Sequence, residues 1–184
     1  MRIISGKYKS RKLLVPKGEI TRPTSDRARE SLFNVLQNLI DFEGLTVLDL
    51  FAGSGAFGFE ALSRGASRVT LVEQNRKVVE TIRENAQSLE VESEVQIVQK
   101  DVYKWLENPH GEYDLIFADP PYDDSRTLNA LPEAIFAAGL LTADSFVIIE
   151  HRSGSSIQIP QGTEQIRELH AGEAVFSFLR PFSP

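Results

Sequence analysis

The sequence predicts an α/β chain, an open and mostly parallel doubly wound β-sheet preceded by a basic N-terminal β-hairpin. Three observations carry that prediction. Short apolar runs alternate with helix-length stretches from Leu45 to His151. A glycine-rich turn joins the first run to the helix after it. Residues 1–30 hold nine Lys and Arg against three Asp and Glu, a net of +6, which leaves −12 for the rest of the chain. Strands separated by helices pair in parallel, because a parallel neighbour is reached only through a crossover.

The opening RIIS, a turn at Gly6 and RKLLV, closed by Pro16 and Gly18, reads as a short hairpin. Pro23, Thr24, Ser25 and Asp26 then precede Leu32, Phe33, Leu36, Leu39 and Ile40, the spacing of a helix with a polar start. LTVLDL, RVTLVE, EVQIVQ, YDLIFAD and SFVIIEH read as five strands. Between them lie helices over AFGFEALSRG, RKVVETIRENAQSL, a short VYKWLE and the stretch around LNALPEAIFAAG. EQIRELH and AVFSFLR, joined by Ala171, Gly172 and Glu173, read as a closing hairpin. The expected division is a hairpin appendage over residues 1–20 and one domain over 21–184.

Composition narrows the function classes. With 41% hydrophobic and 25% charged residues the chain has ample material for one core. No apolar run approaches the roughly 20 residues of a membrane helix, and the opening lacks the apolar segment of a secretory signal. The absence of cysteine excludes disulfides and thiolate metal sites, and His110, His151 and His170 lack metal-ligand spacing. The expectation is a cytoplasmic monomer that binds neither metal nor membrane. The basic opening on an acidic body is the footprint of a segment that meets phosphates, although a solvated basic surface has the same composition.

The first strand runs into VLDLFAGSGAFGFEAL, where Gly53, Gly55 and Gly58 satisfy G-x-G-x-x-G. Glycines permit the tight turn and let a ligand approach the backbone. The motif alone also fits a dinucleotide enzyme, since Glu73 lies 20 residues after Gly53. Asp49 tilts the choice. It ends the strand, facing where a cofactor would lie, and its carboxylate would repel a pyrophosphate but suit the ammonium and sulfonium of S-adenosylmethionine. Asp49, Phe51, Gly53 and Gly55 therefore form the candidate cofactor loop. Glu73 would accept from ribose hydroxyls and Asp101 from an adenine amine, while Asp101 is equally placed to cap the helix over VYKWLE.

The fourth strand ends in Asp119-Pro120-Pro121-Tyr122, a more specific signal. Consecutive prolines fix φ and remove two backbone donors, leaving a stiff turn with free carbonyls. An exocyclic base amine is a poor nucleophile because its lone pair is delocalised into the ring. A carboxylate on Asp119 and the carbonyl of Pro120 can each accept one of its N–H bonds, and Tyr122 offers a ring for the base to stack on.

Taken with the opening RIISGKYKSRKL, the segment TRPTSDRARESLFN, the loop VLDLFAGSGAFGFEALSRGA, VEQN and DPPY, nearly the whole chain resembles the RsmD family. Those proteins are bacterial methyltransferases of guanine N2 in 16S ribosomal RNA. The resemblance implies a Rossmann-like class I methyltransferase sheet with an antiparallel last strand. It implies that Asp49, Gly53 and Gly55 hold the methionine part of S-adenosylmethionine, Glu73 the ribose and Asp101 the adenine. Asp119, Pro120 and Tyr122 would hold the target base in ribosomal RNA, within a small-subunit particle. Arg2, Lys7, Lys9, Arg11 and Lys12 look like an RNA-grasping hairpin, and Arg22 and Arg27 meet RNA or cofactor. One departure is Ala171, where family members often carry tyrosine before the glycine.

Three other readings stay open at this point. The same Asp-Pro-Pro-Tyr chemistry serves adenine N6 in DNA. An NAD-dependent oxidoreductase would rest on Gly53, Gly55, Gly58 and Glu73 but leaves Asp119 to Tyr122 without a task. An RNA-binding protein without turnover is opposed by intact Asp49, Glu73 and Asp119.

Overall fold

The computed structural model describes residues 1–16, 25–121 and 125–182, with the backbone alone for 125–127. The first half contains α1 (Asp26–Leu36), β1 (Thr46–Leu50), α2 (Ala56–Ser63), β2 (Arg68–Glu73), α3 (Arg76–Leu89) and β3 (Val95–Gln99). The second contains α4 (Val102–Leu106), β4 (Tyr113–Ala118), α5 (Ser125–Ala137), β5 (Leu141–Arg152), β6 (Thr163–Ala171) and β7 (Ala174–Pro181). The strands form one sheet in the order β3-β2-β1-β4-β5-β7-β6. β1 to β5 pair in parallel, and β7 runs antiparallel to both β5 and β6. The parallel sheet, the antiparallel last strand and the closing hairpin are thus present as expected. β7 inserts between β5 and β6, so the hairpin folds back against β5 and leaves charged β6 at the edge, a placement that discourages further strand pairing.

Side-chain parity divides the core into two layers, since successive residues of a strand face opposite sides of the sheet. Val47, Val69, Leu71, Leu115, Phe117, Ile148, Phe176 and Phe178 pack with α1, α2 and α3. Leu48, Leu50, Val72, Ile116, Ala118, Val147, Ile149 and Leu179 pack with Trp105 of α4 and Leu131 and Ile135 of α5. Burial on both faces is why these strands read as near-continuous apolar runs. α1 starts where Ser25 caps it, its hydroxyl accepting from Ala28 N–H at 3.1 Å, and it buries Leu32, Phe33 and Leu36.

The N-terminal hairpin is short. Its legs meet at one antiparallel bridge, Arg2 to Lys12, with Ile3 N–H donating to the Arg11 carbonyl and Leu13 N–H to the Met1 carbonyl. Gly6 and Ser10, both at positive φ, turn the chain between the legs. The arm is also tied to the body. Ile3 and Leu13 are buried, and the Ile4 and Ser5 N–H groups donate to the Glu60 carboxylate of α2.

Candidate active site

The strand order reverses between β1 and β4, each flanked there by the other. In an open parallel sheet the crevice outside the carboxyl ends at such a switch point is where ligands bind. In this sheet Leu50 is level with Val72 on one side and Ala118 on the other. The next residues, Phe51, Glu73 and Asp119, therefore leave three adjacent strands side by side. Ala52 N–H bonds the Val72 carbonyl at 3.0 Å and pins the loop to β2. The Asp119 N–H lies 3.5 Å from the Leu50 carbonyl.

The loop depends on unusual backbone. Phe51 adopts φ +62, Gly53 φ +53 and Gly55 φ +78. A Cβ on Gly55 would sit 2.6 Å from the Phe59 ring and 3.2 Å from Leu71, so glycine is required there by both conformation and space. Gly58 serves packing instead: a Cβ would strike Leu71 and Val69 of β2 at 2.5 and 2.6 Å. The third glycine of the motif thus brings α2 down onto the sheet.

The three carboxylates at the ends of β1, β2 and β3 are placed in different ways. Asp49, 1% exposed, faces α2, and its Oδ2 accepts from Gly58 N–H at 3.2 Å. Burial pushes its carboxyl up from an ordinary 3.8 to about 7; the Gly58 N–H offsets part of the rise, and the charge of Glu73 adds to it. It lies beneath the loop, not on its open side. Glu73 stands at the mouth of the loop, accepting from Gly53 N–H at 3.2 Å and from Asn75 N–H at 2.8 Å. Asp101 caps α4, its Oδ1 accepting from Lys104 N–H at 3.0 Å, so the capping alternative is realised.

Asp119 lines a narrow crevice with Leu32, Phe57, Phe117, Glu150 and Phe176, on the α1–α3 side of the sheet. Pro120 behind it is buried. Tyr122 and Arg22 lie outside the described residues. Arg2, Lys7, Lys9, Arg11, Lys12 and Arg27 are all exposed. The Arg11 guanidinium also donates to the Ser88 carbonyl on α3, and Lys7 sits 5.0 Å over the Tyr8 ring. Among the described residues no cluster of His, Asp or Glu is arranged to hold a metal ion, and no helix is long and apolar enough to cross a membrane.

Sequence reasoning missed Ser54, Asn85 and Glu60, which tie the arm, the loop and the helices together. A signal was available. Asn85 occupies the apolar stripe of α3 with Val78, Val79, Ile82, Ala86 and Leu89, and Glu60 is a charge within the apolar helix AFGFEALS. A polar residue at a core position has to find partners, because leaving it without them is expensive.

The family described as conserved hypothetical protein 95 matches residues 1–180. Ribosomal RNA small subunit methyltransferase D of Haemophilus influenzae is 33% identical over 94% of this chain and 89% of its own. The Escherichia coli protein of the same name is 33% identical over 96% and 87%. The solved structure of yhhF from Escherichia coli superposes with a TM-score of 0.87 at 29% identity, covering 100% of this chain and 99% of that one. The chain belongs to the RsmD family, which its opening, its glycine loop and its Asp-Pro-Pro-Tyr turn resemble and which the match over residues 1–180 covers almost end to end.

Proposed function

We propose that the protein is a ribosomal RNA methyltransferase that moves a methyl group from S-adenosylmethionine to the exocyclic N2 amine of a guanine in small-subunit RNA. The observation that carries this reading is the adjacency of the glycine loop after β1 and Asp119 after β4 at the switch point, one residue beyond the paired Leu50 and Ala118. Two relatives bear the name ribosomal RNA small subunit methyltransferase D, which supports the substrate class.

The donor set fits a cationic nucleoside. Glu73 is an acid at the mouth of the glycine loop, a placement that would repel a pyrophosphate. Gly53 and Gly55 would let the methionine part approach the backbone, Phe51 would pack beside it, Glu73 would take the ribose and Asp101 the adenine. S-adenosylmethionine supplies an electrophilic methyl carbon. The rest falls to the chain. The Asp119 carboxylate and the Pro120 carbonyl accept the two N–H bonds of the amine, which frees its lone pair, and Tyr122 stacks the base. Asp119 takes up the proton released as the new N–C bond forms. Positioning of this kind is a large rate effect in itself.

The arm, with Arg2, Lys7, Lys9, Arg11 and Lys12, would hold RNA phosphates, assisted by Arg22 and Arg27. Methyl transfer from radiolabelled S-adenosylmethionine to small ribosomal subunits that lack their modifications, followed by nucleoside analysis, tests the reading. Label in N2-methylguanosine is the expected result. Label in N6-methyladenine, or in DNA alone, would overturn the assigned target.

A further inference from the structure

The basic arm and the glycine loop are joined by one buried side chain. Asn85, in the third turn of α3, is 1% exposed. Its Oδ1 accepts from Leu14 N–H at 2.7 Å, and its Nδ2 donates to the Leu14 carbonyl at 3.0 Å and to the Ser54 carbonyl at 3.0 Å. The partners dictate the orientation of the amide, since two carbonyls face the nitrogen and an N–H faces the oxygen. Asn85 therefore grips Leu14 as a neighbouring strand would, and with its remaining proton holds the residue between Gly53 and Gly55. A second strap runs in parallel, from the Ser54 hydroxyl to the Met1 sulfur at 3.2 Å.

Leu14 lies two residues beyond Lys12 in the arm, and Ser54 is the centre of the loop. The one amide thus holds both ends at once. We propose that Asn85 is a positioning residue that couples the two ends, so that RNA on the arm and cofactor in the loop bind with positive cooperativity. The inference rests on the proposed function for what each end binds. The ordering needed at the second site is already done when the first is filled. Linkage requires the effect to be reciprocal.

The test is calorimetric titration of S-adenosylhomocysteine, a non-reacting stand-in for the cofactor, with and without saturating unmodified small-subunit ribosomal RNA. Wild type should bind it about fivefold or more tightly with RNA present, the lower end of ordinary coupling. In Asn85→Asp, where an oxygen faces both carbonyls, the ratio should fall to about one. A residue with a purely structural role would weaken both affinities and leave the ratio intact, which would overturn the inference.

Hydrogen exchange on the wild type gives a second arm that needs no variant. S-adenosylhomocysteine should slow exchange at the Leu14 N–H, and unchanged exchange there would overturn the coupling. If wild type binds both ligands with a ratio of one, the coupling alone is lost. If S-adenosylhomocysteine does not bind at all, the proposed function goes with it.

Discussion

Asp49 and Asp119 sit on neighbouring strands and the same sheet face, yet their surroundings set them to different work. Asp119 lines the crevice at the strand end, whereas Asp49 is sealed under α2, where its Oδ2 accepts from the Gly58 N–H. Asp119→Ala should therefore lower single-turnover methyl transfer by about 100-fold or more, the scale of lost positioning, while calorimetry finds cofactor affinity within about twofold of wild type. Unimpaired turnover in that variant would sink the amine-gripping mechanism. Asp49 makes a stability prediction instead. Its carboxyl is raised from 3.8 to about 7 in the folded protein, so between those values the folded state holds more protons than the unfolded one. Stability is then fully present below about pH 4 and lost as pH rises towards 7, by an amount of order a few kcal/mol. Asp49→Asn removes the titration. Denaturant unfolding from pH 4 to pH 8 should show wild type losing ground relative to the variant up to about pH 7 and no further. A pH-independent difference would show that Asp49 is not held neutral by its burial.

Among the elements, the glycine loop is where local sequence and three-dimensional packing agree most closely. The left-handed backbone at Gly53 and Gly55 was legible from the motif, and the strand and helix sequence around it from apolar spacing. The two positions should nevertheless differ. A methyl at Gly53 meets only the Phe51 carbonyl at 3.9 Å, so Gly53→Ala should cost about 1 kcal/mol for its backbone alone. Gly55→Ala must also displace the Phe59 ring from 2.6 Å and should cost about 1–3 kcal/mol more. Thermal unfolding should show the larger fall in Tm for Gly55→Ala, and equal falls would contradict the packing. What the sequence could not disclose were partners far apart in the chain. Glu60 meets Ile4 and Ser5, Asn85 meets Leu14 and Ser54, and β7 chooses β5 as well as β6. Local pattern marks Glu60 and Asn85 as polar residues at core positions but not their partners, because each pairing is settled by which surfaces remain once the sheet has formed. Asp49 was expected to face the cofactor from its place before the loop, but its burial follows from strand parity and the close seat of α2 on β2 through Gly58, which only the packed structure reveals.

On the scale of the molecule, an acidic protein segregates its charge. Residues 1–30 carry +6 and the remainder −12. The short arm is held against α2 and α3 by Glu60, Ser63 and Asn85, which fixes where its exposed cations stand. Fixing them matters for the proposed function, because a loosely tethered basic tail would supply affinity without register. The remainder is acidic in sum, so the salt dependence of RNA binding should reside in the arm. Replacing Lys9, Arg11 and Lys12 by glutamine should weaken binding and reduce the slope of log affinity against log salt by about 2, at roughly 0.7 per contact for single-stranded RNA. Replacing Lys77 and Arg83, equally exposed but on α3, should leave the slope nearly unchanged. Filter binding across about 50–200 mM salt separates the cases. Equal slopes for the arm variant and wild type would mean that the phosphates are held elsewhere. The arm would then be a packing element whose positive charge is merely solvated.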